Sequence, residues 1–286
     1  MFYLAKKPVG IGSNLLVKIL KRVLKADKIG FAGTLDPLAS GLMIIGTNGS
    51  SRLFPLIESF QKTYKTTIRL DGTTSSYDLE QPVQKIDISQ EIIESITQEK
   101  IHKTIQENFV GNISQIPPLY SAIWVDGKRA YHRMRKGEEN IILEPKPRTV
   151  HAFDIISYEW PALICEITVS HGTYIRSLAR DIGEKLSCGG YLESLERVSL
   201  GHLSLENKKD WIIHNDISYL PITHTELFPE IQILALSDGE KRHLRLGSTP
   251  LKTTEKDGHY FVVYEDNAYG LLESKNGSLF PVKNCV

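Results

Sequence analysis

Gly33-Thr34-Leu35-Asp36-Pro37-Leu38-Ala39-Ser40-Gly41 runs directly into Leu42-Met43-Ile44-Ile45, and the rest of the chain is organised around this junction. An uninterrupted apolar run bounded by Gly and Pro reads as a buried strand. The preceding residues therefore form a tight loop that leads the chain into a sheet. Asp36 lies at the middle of that loop. Pro37 fixes its own φ and biases Asp36 toward extended backbone, while Gly33 and Gly41 supply freedom at the two ends. A carboxylate held in this way beside buried apolar surface is rigid, and its reactivity can be tuned. Taken alone, Asp-Pro also opens ordinary turns, so the remainder of the chain has to decide between the two.

A length of 286 residues suggests about two domains, and 41% hydrophobic residues provide an ordinary core. The first residues, Met1 to Pro8, lack the apolar core of a secretion signal, and no run approaches a membrane span. Cys165, Cys188 and Cys285 are widely spaced and match no metal pattern, which suits a reducing, cytoplasmic setting. No P-loop, dinucleotide motif or metal cluster is visible, so neither cofactor nor metal is expected. Thirty-four basic residues balance 34 acidic ones. A nucleic-acid partner would then have to be met by local basic patches rather than by net charge.

Two such patches exist. A helix following Ser13, a plausible N-cap, places Leu16, Ile19, Leu20 and Val23 at core spacing. That leaves Lys18, Lys21, Arg22, Lys25 and Lys28 on or near the opposite face, as a solvated surface or as phosphate contacts beside the Asp36 loop. The second runs from 128 to 148. Lys128, Arg129, Arg133, Arg135, Lys136, Lys146 and Arg148 face only Glu138, Glu139 and Glu144, with Tyr131 and His132 interleaved. Aromatic groups among cations suit RNA backbone and base contacts.

Elsewhere, residues 62–70 and 163–169 alternate as strands. Ile175, Leu178, Ala179, Ile182 and Leu186 follow helical spacing, which puts Arg176 in a first turn, where the helix dipole disfavours a cation; this suggests a specific anionic partner, although surface arginines often tolerate the position. Residues 89–109 read as a single amphipathic helix with Ile92, Ile93, Ile96 and Ile105 inward. Residues 206–229 read as polar, partly helical and linking. From Ile231 onward the texture is short strands with turn signals at Gly247, Asp257-Gly258 and Asn276-Gly277.

The loop sequence G-T-L-D-P-L-A-S-G-L closely resembles the catalytic-aspartate motif of the TruB family of tRNA pseudouridine synthases, and further matches follow in order from Lys7 to about Ser199. Lys7-Pro8-Val9-Gly10 with Ser13 resembles the first motif. Lys62-Thr63-Tyr64 resembles a K-x-Y strand, Gln115-Ile116-Pro117-Pro118-Leu119-Tyr120-Ser121-Ala122 a Q-x-P-P-x-Y-S-A segment, and Gly172-Thr173-Tyr174-Ile175-Arg176 the G-T-Y-I-R motif. The chain departs from the family in four places: Phe31 stands at a usual histidine, Ser75 at an aspartate, Gln81 at a glycine and Trp124 at a lysine.

The resemblance implies an α+β fold: a mixed, largely antiparallel sheet flanked by helices, with a small C-terminal β-rich PUA-like domain. It implies a catalytic domain over 1–228, with a basic RNA-clamp insertion at about 124–148, and an RNA-binding module over 229–286. The implied reaction flips the T-loop uridine (position 55) out of tRNA, cuts its N-glycosidic bond and joins the rotated uracil through carbon. Asp36 would be the catalytic carboxylate, Arg176 its salt-bridge partner, and Asp78 the residue that orders Arg176. Tyr64 would stack on the base, and Phe31, Tyr174, Leu195 and Lys7 would line or support the substrate site. Lys128, Arg129, Arg133 and Arg135 would hold the RNA backbone. The expected partner is the T-arm of tRNA, with no membrane, no protein partner and a monomeric state. The rivals are a tRNA-binding folding helper with weak catalysis and a guide-RNA-dependent relative.

Overall fold

The computed structural model describes residues 1–121, 123–125, 127–135, 138, 141–245, 251–264 and 267–284. They divide into two compact units, Met1–Asp36 with Gly41–Ser59 and Leu205–Val286, and Pro37–Ser40 with Phe60–Ser204. In secondary structure the protein is α+β, and its long strands pair antiparallel.

In the first unit the junction read from the sequence is a strand, Ser40–Thr47, and Leu42, Met43, Ile44 and Ile45 are fully buried. Burial on both faces explains why the run does not alternate. Phe2–Lys7 pairs with this strand on one side and Ile29–Ala32 on the other, with Leu4 opposite Ile44 and Phe31 opposite Ile45. Ile217–Ile222 then pairs with Phe2–Lys7, and Ile212–His214 with Ile217–Ile222. Residues 206–229 are therefore not a linker. Ile217, Tyr219 and Ile222 turn inward and extend the sheet, and Leu220 with Pro221 interrupts the alternation by which a strand is recognised in sequence. Helix His224–Leu227 starts with a capping box in which Thr223 and Glu226 satisfy each other's main-chain N–H groups.

The C-terminal module belongs to the same unit. Its sheet runs in the order Gln232–Ile233, Gly258–Tyr264, Asn267–Lys275, Ser278–Asn284, Leu251–Lys252, with the first pair parallel and the others antiparallel. Val262, Leu272 and Leu279 form its core, against Leu234, Leu236 and Leu251. Asn276 and Gly277 both have positive φ, 52° and 70°, the hairpin turn their dipeptide signals. Phe261 packs against Phe228 and His224, each at 5.4 Å between ring centroids. Gly247 and Cys285 lie outside the described residues.

The second unit is a sheet in the order Tyr191–Leu200, Lys62–Arg69, Ala162–Val169, Lys146–Glu159, Gly111–Gln115. Helix Ile175–Lys185 buries Ile175, Leu178, Ala179 and Ile182, as its spacing predicts. The expected helix over 89–109 is two helices, Gln90–Ser95 and Gln98–Asn108. The hydroxyl of Thr97 accepts the Lys100 N–H and caps the second helix, while Tyr158 donates to the Ile96 carbonyl at 2.9 Å. These local partners replace the main-chain bonds that a continuous helix would need. Burial pushes the Cys165 and Cys188 thiols up to about 12, which makes both inert at neutral pH.

Candidate active site

Asp36 and the residues that lead to it belong to the first unit, whereas Pro37–Ser40 belong to the second. Gly33 and Gly41 have φ of +73° and +109°, so both ends of the loop use the backbone freedom that glycine supplies. Ser13 is not the N-cap of its helix: that position is Gly12, and the helix is Ser13–Val23. The Ser13 hydroxyl donates to the Leu35 carbonyl at 2.8 Å and accepts the Leu35 N–H at 2.9 Å. Both residues are 3% exposed. A serine side chain thus pins the backbone immediately before Asp36, and Pro37 restricts it immediately after. Asp36 itself is half-buried.

Replacing Ser13 with alanine leaves a buried N–H and carbonyl of Leu35 without their partner, which costs about 1–3 kcal/mol. Urea unfolding reads that loss directly. A turnover that falls further than the unfolded fraction accounts for would place Ser13 in the support of Asp36.

Lys7 is 0% exposed, and its ammonium donates to the Pro8 and Ile11 carbonyls at 3.0 and 2.6 Å. It closes the turn that leads into helix Ser13–Val23. Phe31 is half-buried in strand Ile29–Ala32, five residues before Asp36.

In the second unit Arg176 occupies the second position of helix Ile175–Lys185, and the anionic partner such a position calls for is Asp78. Arg176 Nε lies 3.5 Å from Asp78 Oδ2, and the two side chains are 5% and 1% exposed. The guanidinium also donates to the Ser76 and Tyr120 carbonyls at 3.0 and 2.9 Å. Asp78 is fixed in turn: its Oδ1 accepts the Ser76 hydroxyl and the Glu80 N–H, and Thr74 Oγ1 bonds both its N–H and its carbonyl. The divergent loop at 74–78 keeps this job through hydroxyls, and Ser75 takes no part in these bonds.

Gln115 locks the next layer. Its side-chain amide accepts the Tyr174 N–H at 2.8 Å and donates to the Tyr174 carbonyl at 3.1 Å. Ser177 and Arg180 both donate to the Ile116 carbonyl, so the Gln115–Tyr120 segment is stitched to the start of the Arg176 helix. Arg180 also covers the Tyr77 ring at 5.0 Å. Burial lifts the Asp181 carboxyl above its usual range even with Arg180 beside it.

Tyr64 is 7% exposed and shares the buried face of strand Lys62–Arg69 with Lys62, Thr66 and Ile68. In register it sits opposite Arg197, and Thr66 sits opposite Leu195. Tyr64, Leu195 and Arg197 thus gather on one face of adjacent strands. Sequence reasoning missed Gln115, Ser76 and Arg197. Gln115 was quoted inside a motif without a role, whereas an arginine alternating with buried Leu195 in a strand is itself a signal.

The basic segment is organised locally. Trp124–Val125 and Lys128–Arg129 form a short hairpin, followed by helix Ala130–Arg135. Lys128 is exposed, Arg129 stacks over the Trp124 ring at 4.6 Å, and Arg133 pairs with Glu138 at 2.6 Å. Lys146 and Arg148 belong to the long strand, and Arg148 donates to the Gly172 and Pro147 carbonyls. Lys136 and the side chain of Arg135 lie outside the described residues.

The fold defines the class. A chain from an H/ACA RNP bound to a substrate RNA containing 2'-deoxyuridine superposes with a TM-score of 0.66 at 18% identity, covering 100% of this chain and 85% of that one. A chain from an archaeal box H/ACA sRNP gives 0.65 at 18% identity, covering 100% and 86%. This is the pseudouridine synthase fold. Residues 21–175 match the TruB family pseudouridylate synthase (N terminal domain). "tRNA pseudouridine synthase B" of Nitratiruptor sp. is 35% identical over 264 residues, 92% of this chain and 90% of its own. That of Bacteroides fragilis is 42% identical over 200 residues, 68% and 83%. The Dehalococcoides mccartyi protein of the same name is 39% identical over 205 residues, and the match spans 66% of its length. The chain belongs to the TruB family.

Proposed function

We propose that this protein isomerises the T-loop uridine of tRNA, position 55, to pseudouridine, with Asp36 as the catalytic carboxylate. The observation that carries the assignment is the pinned Asp36 loop: a family-specific motif whose backbone is held by a buried serine on one side and a proline on the other. Catalysis by positioning needs such rigidity. Asp36 would act on the sugar or its anomeric carbon as the N-glycosidic bond breaks. The freed uracil then rotates and rebonds through carbon, with no net oxidation and no loss of base.

Arg176 is held by Asp78, Ser76 and Tyr120 in one orientation. In the proposed site it would be the salt-bridge partner of the Asp36 carboxylate, as the family resemblance implies. Tyr64 and Leu195 share a face and would sandwich the flipped base, with Tyr174 and the Phe31 loop around it, since an extruded base needs a stacking surface. Phe31 offers a ring and no titratable group, so proton transfer at that position is ruled out by its chemistry. Lys7 supports the turn before the first helix. Lys128, Arg129, Arg133 and Arg135 would contact the RNA backbone, with 229–286 as the PUA-like module. The protein would work as a cytoplasmic monomer without a partner protein.

An unmodified tRNA transcript, incubated without guide RNA, tests the reading. One pseudouridine at the T-loop uridine is expected, and none when that uridine is replaced by cytidine. Product that depends on an added guide RNA would instead assign the guided mode of action. Tight binding with no product would assign a folding helper.

A further inference from the structure

The chain carries no net charge, so attraction to RNA has to come from a few places where cations outnumber acids. The segment at 124–148 is one, but several of its cations are engaged within the protein: Arg129 on Trp124, Arg133 on Glu138, Arg148 on two carbonyls. The opposite condition holds at helix Ser13–Val23. Lys18, Lys21, Arg22, Lys25 and Lys28 are all exposed, and among the described residues no salt bridge involves any of them. Asp27 is the only acid between 13 and 28.

These cations are not spread evenly around the helix. Asn14, Lys18, Lys21, Asp27, Lys28 and Ile29 line an open groove of about 540 Å³, where three ammonium groups face one carboxylate. The chain reversal that builds it is specific. Lys25 adopts a left-handed backbone, φ 48°, and the Ala26 N–H bonds back to the Lys21 carbonyl at 3.1 Å, which returns Lys28 alongside the helix. The helix dipole favours cations in the last turn and so accounts for Lys21 and Arg22. It does not account for Lys18, one turn earlier, or for Lys28, beyond the helix end.

The groove is also fixed relative to Asp36. One wall is the helix whose Ser13 hydroxyl holds Leu35, and the other begins strand Ile29–Ala32, which runs into Gly33 and the Asp36 loop. We propose that Lys18, Lys21 and Lys28 form a phosphate-binding groove for the sugar–phosphate backbone of the tRNA, and that it sets the register in which the substrate meets Asp36. This rests on the assignment of tRNA as substrate. Lysine ammonium groups act as mobile point charges and suit phosphates of a folded RNA without reading its bases.

The test is the salt dependence of tRNA binding, measured with an unmodified transcript from low to moderate KCl. Each phosphate contact contributes about 0.7–0.9 to the slope of log Kd against log salt. The triple variant Lys18→Gln/Lys21→Gln/Lys28→Gln is expected to lose about 2 from that slope, to bind about 10–100-fold more weakly near 0.1 M KCl and to form product more slowly even at saturating enzyme. The matching triple arginine variant is expected to keep the wild-type slope. An unchanged slope in the glutamine variant would overturn the groove, and so would an equal loss in the arginine variant, which would point to perturbed folding rather than lost charge. Failure of the substrate assignment reads out separately, as a wild-type protein that binds tRNA yet forms no pseudouridine. A slope loss in that setting would still support the groove.

Discussion

Asp78→Ala is expected to destabilise the protein by about 3–5 kcal/mol and to abolish turnover, because it removes the carboxylate beside a buried guanidinium. Arg176 and Asp78 are 5% and 1% exposed, so water cannot take the place of the lost charge. The Ser76 and Tyr120 carbonyls, which also accept from the guanidinium, carry only partial charge. The Asp78 side chain also anchors the Ser76 hydroxyl and the Glu80 N–H, so the 74–80 loop loosens with it. The double variant Asp78→Leu/Arg176→Met separates the two effects. Exchanging a buried pair for apolar side chains of similar size removes the uncompensated charge, so the double variant is expected to be more stable than Asp78→Ala, yet below wild type because the Ser76 hydroxyl and the Glu80 N–H lose their acceptor, and to remain inactive. Recovery of activity along with stability would show that Arg176 is a structural residue only.

Much of this fold is legible in the residues. The Leu42–Ile45 run, the alternation at 62–70 and 163–169 and the spacing from Ile175 each bury what they predict. Where the reading failed, partners distant in sequence outvoted a local pattern. Thr97 and Tyr158 split the 89–109 helix at Ile96. Ile217, Tyr219 and Ile222 lie in a strand where Leu220 and Pro221 interrupt the alternation, and its pairing with Phe2–Lys7 depends on a partner more than 200 positions away in sequence.

The site divides in the same way. The unfavourable place of Arg176 in its helix suggests an anionic partner, and Asp78 stands beside it; the expected pairing with Asp36 rests on the resemblance. Ser13 reads from the sequence as an N-cap, but the cap is Gly12 and the Ser13 hydroxyl serves Leu35, 22 residues away, rather than its own helix. Nothing in the spacing of the sequence encodes that distance. Gln115, whose amide holds both polar groups of the Tyr174 backbone, is hidden for the same reason.

The central claim concerns one carboxylate. Asn matches Asp in shape and leaves the Ser13–Leu35 lock and Pro37 in place, so Asp36→Asn is expected to fold and to bind tRNA as the wild type does. What it loses is the negative charge and the basic oxygen, whose removal from a reacting centre lowers rates by about 10²–10⁴-fold or more. The decisive measurement is single-turnover pseudouridine formation, mapped at nucleotide resolution on an unmodified tRNA transcript, with wild type and Asp36→Asn side by side. Product at the T-loop uridine is expected from the wild type alone, with equal tRNA affinity for the two proteins. Equal product from both, or none from a wild type that binds tightly, would contradict the claim.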